Sequence, residues 1–210
     1  MSTATTTSHW LSQQHIIVSG LGISGTCFVV SLYQACQRHQ IQFPKVSVYE
    51  RDAELDTNFY SIGIRSDKMS GGLQVLQKLG LFEVAAKAHH IRDNKKFSIR
   101  TGDGVNIITR ESTPLEENLR LSRYALRKML LDALPEDVDI HWGSAIVKVE
   151  PDDASNIVKC HLTDGSVVEC NVLVAADGSM SKARQSIHPD LWPQYNGMLF
   201  LFCRTQMQCR

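Results

Sequence analysis

The order of apolar and polar segments along the chain predicts an alternation of strands and helices. His15–Ser19 is a short apolar run with β-branched residues, and Lys45–Glu50 is a second one; both patterns predict β-strands. Residues 26–39 between them can form a helix. Asn171–Ala176 is continuously apolar, which is typical of a parallel strand buried on both faces. This order predicts an α/β fold with a Rossmann-like parallel sheet.

The segments between these runs predict smaller elements. Leucines recur at helical spacing over residues 68–89, and Gly80 divides that stretch into two helices. Alternation around an Asp-Gly turn predicts a hairpin over residues 96–110. Further elements are expected as an irregular strand or loop at 61–65, a short strand at 119–121, a helix over Arg123–Leu134 capped by Ser122, and an antiparallel β-meander with strands over 139–150 and 156–170 and turns at 151–153 and 163–166.

Three glycines after the first strand have the G-x-G-x-x-G spacing of dinucleotide-binding turns. Gly20 permits a tight turn, Gly22 lets the backbone approach a pyrophosphate, and Gly25 lets the helix pack close to the strand. The first turn of that helix directs N–H groups toward the phosphates. Glu50 ends the next strand, and its carboxylate can accept hydrogen bonds from both hydroxyls of the adenine-side ribose. The arrangement predicts nucleotide binding.

Other positions have two interpretations on the residues alone. Gly63 can serve a turn or lie close to a ligand. Arg123 and Arg127 can form a solvated basic face or contact an anionic cofactor. Asp177 follows the last apolar strand, where it can bind a ligand at the carboxyl edge of the sheet or cap the next helix, which is expected over residues 179–187.

Composition narrows the class of protein. The chain has 210 residues, and 43% of them are hydrophobic, so we expect a folded core. Its formal net charge is zero, so we expect neither a nucleic-acid partner nor an anionic-membrane partner. The six cysteines and eight histidines lack metal-ligand spacing, and we expect no metal site. The cysteines are expected as reduced thiols in a cytoplasmic protein. We expect residues 1–14 to be a flexible tail, without a secretory signal, and no segment of the sequence to span a membrane.

Three motifs together resemble the amino-terminal half of FAD-dependent monooxygenases of the para-hydroxybenzoate hydroxylase type. The first is the glycine turn with Glu50-Arg51. The second is Arg123-x-x-Leu-Arg127-x-x-Leu. The third is Asp177-Gly-Ser-Met-Ser-Lys-Ala-Arg184, which matches the D-G-x-x-S-x-x-R motif of these enzymes. The stretch around Gly63 is also similar, and the resemblance extends from about residue 15 to residue 189.

This resemblance implies roles for the candidate residues. Glu50 would bind the adenosine ribose, Asp177 the ribityl or pyrophosphate region, and Arg123 the FAD from its helix. The remaining implied roles are pyrophosphate contacts for Gly20, Gly22 and Gly25, a flavin-side position for Gly63, a position near the adenine for Arg51, and a structural role in the strand-to-helix turn for Ser181 and Arg184. NADPH or NADH would reduce the flavin, which would use O₂ to oxygenate an organic small molecule. The sequence identifies no catalytic acid, base or nucleophile.

The chain departs from the family pattern after residue 184. We expect an incomplete FAD-binding domain over residues 15–190, without the third, G-D-containing cofactor motif, and the start of a truncated substrate domain or an aberrant tail over 191–210. We therefore expect weakened FAD affinity and self-association through uncovered apolar surface. Two other functions stay open: a non-catalytic remnant or split subunit that needs a partner chain, and an NAD-dependent dehydrogenase.

Overall fold

A computed structural model describes residues 9–55, 60–65, 71–88, 96–111 and 118–197. The strands are β1 His15–Ser19, β2 Lys45–Glu50, β3 Ser61–Arg65, β4 Lys96–Arg100, β5 Asn106–Glu111, β6 Asn118–Ser122, β7 Val138–Trp142, β8 Ile146–Asp152, β9 Ile157–Leu162, β10 Val167–Cys170 and β11 Val172–Ala175. The α-helices are α1 Ile23–His39, α2 Gly72–Lys78, α3 Phe82–Lys87, α4 Arg123–Leu131 and α5 Lys182–Ile187.

The centre of the fold is a parallel sheet with strand order β11-β1-β2-β7. Helices α1 and α4 pack on one face of it, where Val18, Val46 and Val48 are fully buried with Val29 of α1. Burying side chains of this size stabilises the fold by roughly 1.5–3 kcal/mol each. The antiparallel sheet β10-β9-β8 covers the opposite face. The predicted combination of a Rossmann-like parallel sheet and an antiparallel meander is confirmed.

A second apolar cluster surrounds the other side of α4. It joins the two-stranded sheet β3-β6 to α2 and α3 through residues such as Ile64, Leu76, Leu119 and Leu126. The predicted helix break is confirmed at Gly80, which has a φ of +72° between α2 and α3. The segment at 61–65, expected as an irregular strand or a loop, is a regular strand. The predicted hairpin over 96–110 is strands β4 and β5.

The predicted meander is wrong in one respect, because residues 139–150 do not form one strand. Gly143, with a φ of +67°, breaks the run into β7 and β8. Strand β7 joins the parallel sheet instead, and the break is fixed by N–H groups of Gly143 and Ser144 that donate to the carbonyls of Asp52 and Glu50, each at 2.9 Å. The following turn is also later than predicted, at residues 153–156, because β8 continues through Pro151.

Strand β11 also differs from the prediction. It is a parallel strand as expected and pairs with β1, but its residues are only partly buried and Ala175 is exposed. Within the described part of the chain β11 is the edge strand of the parallel sheet, so one of its sides has no neighbouring strand to cover it. Continuous apolar character therefore predicted the strand correctly and its burial incorrectly.

The termini are described only in part. Trp10–Gln13 form a 3-10 turn inside the expected tail, whereas residues 1–8 and 198–210 lie outside the described ranges. The predictions for the last residues of the chain are therefore not addressed by the structure. In the described part, no helix combines the length and apolar character needed to cross a bilayer, and no His, Cys, Asp and Glu side chains are grouped as metal ligands would be.

Candidate cofactor site

The structure brings three of the sequence-predicted positions to one edge of the parallel sheet. Asp177 follows β11, the glycine turn follows β1, and Glu50 ends β2; these strands are neighbours in the order β11-β1-β2. Because adjacent strands lie about 4.8 Å apart, the two acidic positions are separated by roughly 10 Å with the glycine turn between them. Ligands of open α/β sheets bind at this carboxyl edge.

Gly20 and Gly25 are required by close packing within the turn. Gly20 has a φ of +98°, and a Cβ there would lie 2.6 Å from the carbonyl oxygen of Ala176. A Cβ on Gly25 would lie 2.0 Å from the carbonyl oxygen of Gly20. Helix α1 therefore packs directly on the turn, and the turn packs directly on the end of β11.

Gly22 is different, because no atom lies within 4 Å of the position its Cβ would occupy. It is the N-cap of α1, and its carbonyl accepts the N–H of Thr26 at 3.0 Å. The preceding first-turn N–H groups have no partner within the helix. The space in front of Gly22 is thus open toward the positive end of a 17-residue helix.

Glu50 is buried, with 6% of its surface exposed, and both carboxylate oxygens face the glycine turn and the loop after β2. Oε2 accepts the backbone N–H of Leu21 at 2.7 Å, and Oε1 accepts that of Asp52 at 3.0 Å. A carboxylate oxygen can accept two hydrogen bonds, so each one has capacity left for a ribose hydroxyl.

Asp177 caps the next helix, one of the two roles that the sequence left open, and it has a second oxygen available for the other. Its Oδ2 accepts the N–H groups of Lys182 and Ala183 at 2.7 and 3.3 Å, which caps α5. Its Oδ1 is buried and has no hydrogen-bond partner in the described part of the chain. Because a buried acceptor without a donor is costly, this oxygen fits a ligand that supplies a hydroxyl or N–H group.

Helix α4 approaches the site through Arg127 rather than as a solvated face. Of the two interpretations left open for Arg127, the solvated face is wrong, since 1% of the residue is exposed and its Nη2 donates to the Leu21 carbonyl at 3.2 Å. Arg123 is one turn earlier on the same side of α4, partly buried, with its guanidinium 5.9 Å from the Tyr60 ring centroid. Gly63 is paired with Arg120 in the β3-β6 sheet, which leads directly into α4.

The remaining implied residues surround the turn after β11 and the end of β2. Ser181 accepts the N–H of Arg184 at 3.0 Å, and Arg184 donates to the Ser179 carbonyl, so both stabilise that turn. Arg51 is exposed and lies 3.7 Å from the carboxylate of Asp52.

Sequence reasoning missed the part played by Leu21 and the burial of Arg127. A signal for the second was available: in α4, Arg127 precedes Leu130 and Leu131 at the i+3 and i+4 positions, which places it beside the apolar stripe. The part played by Leu21 left no signal in the sequence, because Leu21 contributes its backbone N–H and carbonyl rather than its side chain.

Comparisons with known proteins point to one enzyme type. No family model matches the chain. A monooxygenase of Aspergillus candidus, cfoF, is 30% identical over 211 residues, which covers 93% of this chain and 50% of that protein. The FAD-dependent monooxygenase phnB of Penicillium herquei is 28% identical over 85% of this chain and 41% of that protein. The chain thus spans half or less of the length of these relatives.

Solved structures show the same fold. The tetrameric form of 2-methyl-3-hydroxypyridine-5-carboxylic acid oxygenase superposes with a TM-score of 0.64 at 23% identity, over 84% of this chain and 42% of that one. The p-nitrophenol 4-monooxygenase of Pseudomonas putida gives a TM-score of 0.65 at 19% identity. The homologues of this chain are therefore FAD-dependent monooxygenases, and the chain has the fold of the amino-terminal portion of the aromatic-ring hydroxylase type of flavoenzyme.

Proposed function

We propose that residues 15–190 are an FAD-binding domain and that the chain serves an FAD-dependent monooxygenase reaction. The observation that supports this most directly is the row of Asp177, the glycine turn and Glu50 on three adjacent strand ends, with the buried Oδ1 of Asp177 lacking a donor. A plain NAD-dependent dehydrogenase would use the glycine turn and Glu50 but would leave that oxygen unexplained.

In this proposal each residue binds or orients the cofactor. Glu50 accepts the adenosine ribose hydroxyls, and the open space at Gly22 admits the pyrophosphate to the start of α1. Asp177 accepts a hydrogen bond from the ribityl or pyrophosphate side. Arg123 and Gly63 lie on the elements that would approach the flavin side. When bound, FAD supplies the redox and oxygen chemistry, and the protein supplies position and electrostatics.

The finer parts of the activity are also proposals. NADPH or NADH serves as the reductant, O₂ as the co-substrate, and an organic small molecule as the acceptor of one oxygen atom. The cytoplasmic location inferred from cysteine usage belongs to the same proposal. Exposed apolar side chains after α5, such as Leu191, Trp192 and Tyr195, support the expected self-association.

The test is a comparison of cofactor fragments by titration calorimetry. We expect FAD and ADP to bind, and FMN to bind more weakly than FAD, because FMN lacks the adenosine half that Glu50 would contact. Binding of NAD⁺ without binding of FAD would instead favour the dehydrogenase. Failure of both FAD and ADP to bind would overturn the proposal.

Variants refine this test. Asp177→Asn keeps an oxygen for capping α5 but replaces one carboxylate oxygen by a donor group, so FAD affinity should fall by about tenfold or more, the effect of losing a hydrogen bond to a charged group. Asp164→Asn is the matched control, since Asp164 also accepts a backbone N–H but lies in the exposed β9–β10 turn. Equal FAD affinity of the two variants would contradict the role of Asp177.

A separate measurement addresses the whole reaction. NAD(P)H oxidation is followed with added FAD, with the chain alone and with a second polypeptide that contains the third cofactor motif. Activity that needs both polypeptides identifies a split subunit, whereas flavin binding without activity in either mixture supports a non-catalytic remnant.

A further inference from the structure

Arg127 is the largest side chain among the fully buried residues of the described chain. Its Nη2 lies 3.8 Å from Oε2 of Glu50, and its Nη1 lies 3.7 Å from Oδ2 of Asp52. Its Nε and Nη1 have no hydrogen-bond partner in the described residues. A buried guanidinium with so few hydrogen bonds is costly, so its place below the glycine turn calls for a functional explanation.

The hydrogen bond that Arg127 does make determines the direction of one peptide group. Its Nη2 donates to the carbonyl of Leu21 at 3.2 Å, and the hydroxyl of Thr26 lies 3.4 Å from the same oxygen. The Leu21 carbonyl is therefore fixed toward the buried side, between α1 and α4. A trans peptide is planar, with its C=O and N–H pointing in opposite directions, and the described chain has no cis peptide.

The N–H of Gly22 belongs to that same peptide group. It must point away from Arg127, on the side opposite to the buried carbonyl. Gly22 has open space around the position of a Cβ, and it is the N-cap of α1. A backbone N–H aimed into open space at a helix N-terminus is a donor suited to an anion.

The neighbouring peptide is fixed from the other side. The N–H of Leu21 donates to Oε2 of Glu50 at 2.7 Å, and Glu50 in turn lies beside Arg127. Arg127 thus has two effects on the turn. It balances the charge of Glu50, which fixes the peptide before Leu21, and it directly fixes the peptide after Leu21. With both peptides of Leu21 constrained, the turn has one backbone orientation.

We propose that Arg127 is a positioning residue for the dinucleotide pyrophosphate: it fixes the Leu21–Gly22 peptide so that the Gly22 N–H faces the phosphates. This inference rests on the proposed function, because it assumes a dinucleotide at the turn. Arg127 does not touch the ligand itself, since it is fully buried. It acts through the backbone of Leu21 and Gly22.

The test uses three variants of the full chain. Arg127→Met removes the charge and the donors, and Arg127→Lys keeps a charge and can donate to the Leu21 carbonyl. Lys128→Met is the matched control, because it removes the same charge from the adjacent, exposed position of α4. Thermal unfolding by circular dichroism establishes that each variant is folded.

We expect Arg127→Met to weaken ADP and FAD binding by about tenfold or more, the effect of losing a charge-assisted hydrogen bond. Arg127→Lys should restore at least half of that loss on a logarithmic scale, and Lys128→Met should bind like the wild type. Adenosine, which lacks phosphates, should lose less affinity than ADP. A general loss of structure would lower the affinity for adenosine and ADP equally.

A spectroscopic readout reports on the peptide directly. With [¹⁵N]glycine labelling, the chain gives amide signals from 13 glycines, and ADP should shift the Gly22 signal in the wild type and in Arg127→Lys but not in Arg127→Met. Wild-type affinity for ADP in a folded Arg127→Met protein would overturn the inference. If Arg127→Met does not fold, Arg127→Lys provides the test instead. The inference is then overturned if ADP fails to shift the Gly22 signal of Arg127→Lys. If the wild type binds neither ADP nor FAD, the proposed function itself fails, and this outcome is distinct from the others.

Discussion

Replacing Gly25 by Ala should destabilise the fold, because the contact between α1 and the glycine turn has no room for a methyl group. The new Cβ would lie 2.0 Å from the carbonyl oxygen of Gly20, a backbone atom that cannot rotate away as a flexible side chain could. The turn and helix would have to separate by about 1 Å. Because the clash is with backbone, we expect a cost of about 3 kcal/mol, the upper end of the range typical of overpacking, whereas Ala gains up to about 1 kcal/mol over Gly in a helix.

We therefore expect a net loss of about 2 kcal/mol in the free energy of unfolding for Gly25→Ala. In a chain of this length each kcal/mol lowers the Tm by roughly 2–4 °C, so the expected decrease in Tm is about 4–8 °C. Urea unfolding and thermal unfolding, both followed by circular dichroism, measure these quantities. FAD titration of the same variant should show weakened binding, since the turn has moved.

Two glycine variants separate stability from ligand binding. Gly22→Ala meets no atom within 4 Å and has an allowed φ of −75°, so it should lose less than about 1 kcal/mol of stability while FAD and ADP affinity falls. Gly102→Ala, in the exposed β4–β5 turn, should change neither property by much. The reasoning would be refuted if Gly25→Ala were as stable as Gly102→Ala, or if Gly22→Ala bound ADP like the wild type.

Three further predictions use other parts of the fold. Burial, and then the nearby Lys45 charge, lower the pKa of His15 in the folded chain. The free energy of unfolding should therefore be highest above the unfolded pKa of about 6.5 and fall as pH decreases through the folded pKa. Urea unfolding at pH 7.5 and 5.5 measures this difference, which His15→Asn should reduce. A hydrogen bond with Cys170, and then burial, raise the pKa of Cys160. Mass spectrometry should therefore find it alkylated by iodoacetamide at pH 8 only after unfolding, and early labelling would contradict its position in the core. Trp192→Ser should shift sedimentation toward the monomer, because Trp192 is 58% exposed; an unchanged distribution would exclude it from a self-association surface.

The elements closest to the site were predictable from the sequence because local chemistry determines them. Strands β1 and β2 begin and end at the predicted residues, and Ser122 caps α4 with a 3.0 Å hydrogen bond from the Ala125 N–H. The glycine spacing likewise indicated where the chain must approach itself, as the short Gly25 to Gly20 contact confirms. In each case the determining atoms lie within a few residues of one another.

The features that the sequence did not show depend on distant partners. Alternation over residues 139–150 predicted one strand, since period-two patterns do not specify which sheet a strand joins. The break at Gly143 is fixed by the carbonyl of Asp52, more than 90 residues earlier. The spacing within α4 places Arg127 beside the apolar stripe, but it does not show that Glu50 and Leu21, which are distant in sequence, are the partners of the buried guanidinium.

The pairing of β1 with β11 determines when the candidate cofactor site can form during synthesis. His15 and Asn171, 156 positions apart, are joined by a hydrogen bond at the start of this pairing, and Asp177 follows its end. A nascent chain on the ribosome can form β1, α1 and β2, but it cannot complete the edge beside Gly20 until β11 has left the exit tunnel. Closing so long a loop is slow, so assembly of the candidate cofactor site is expected to be a late step of folding.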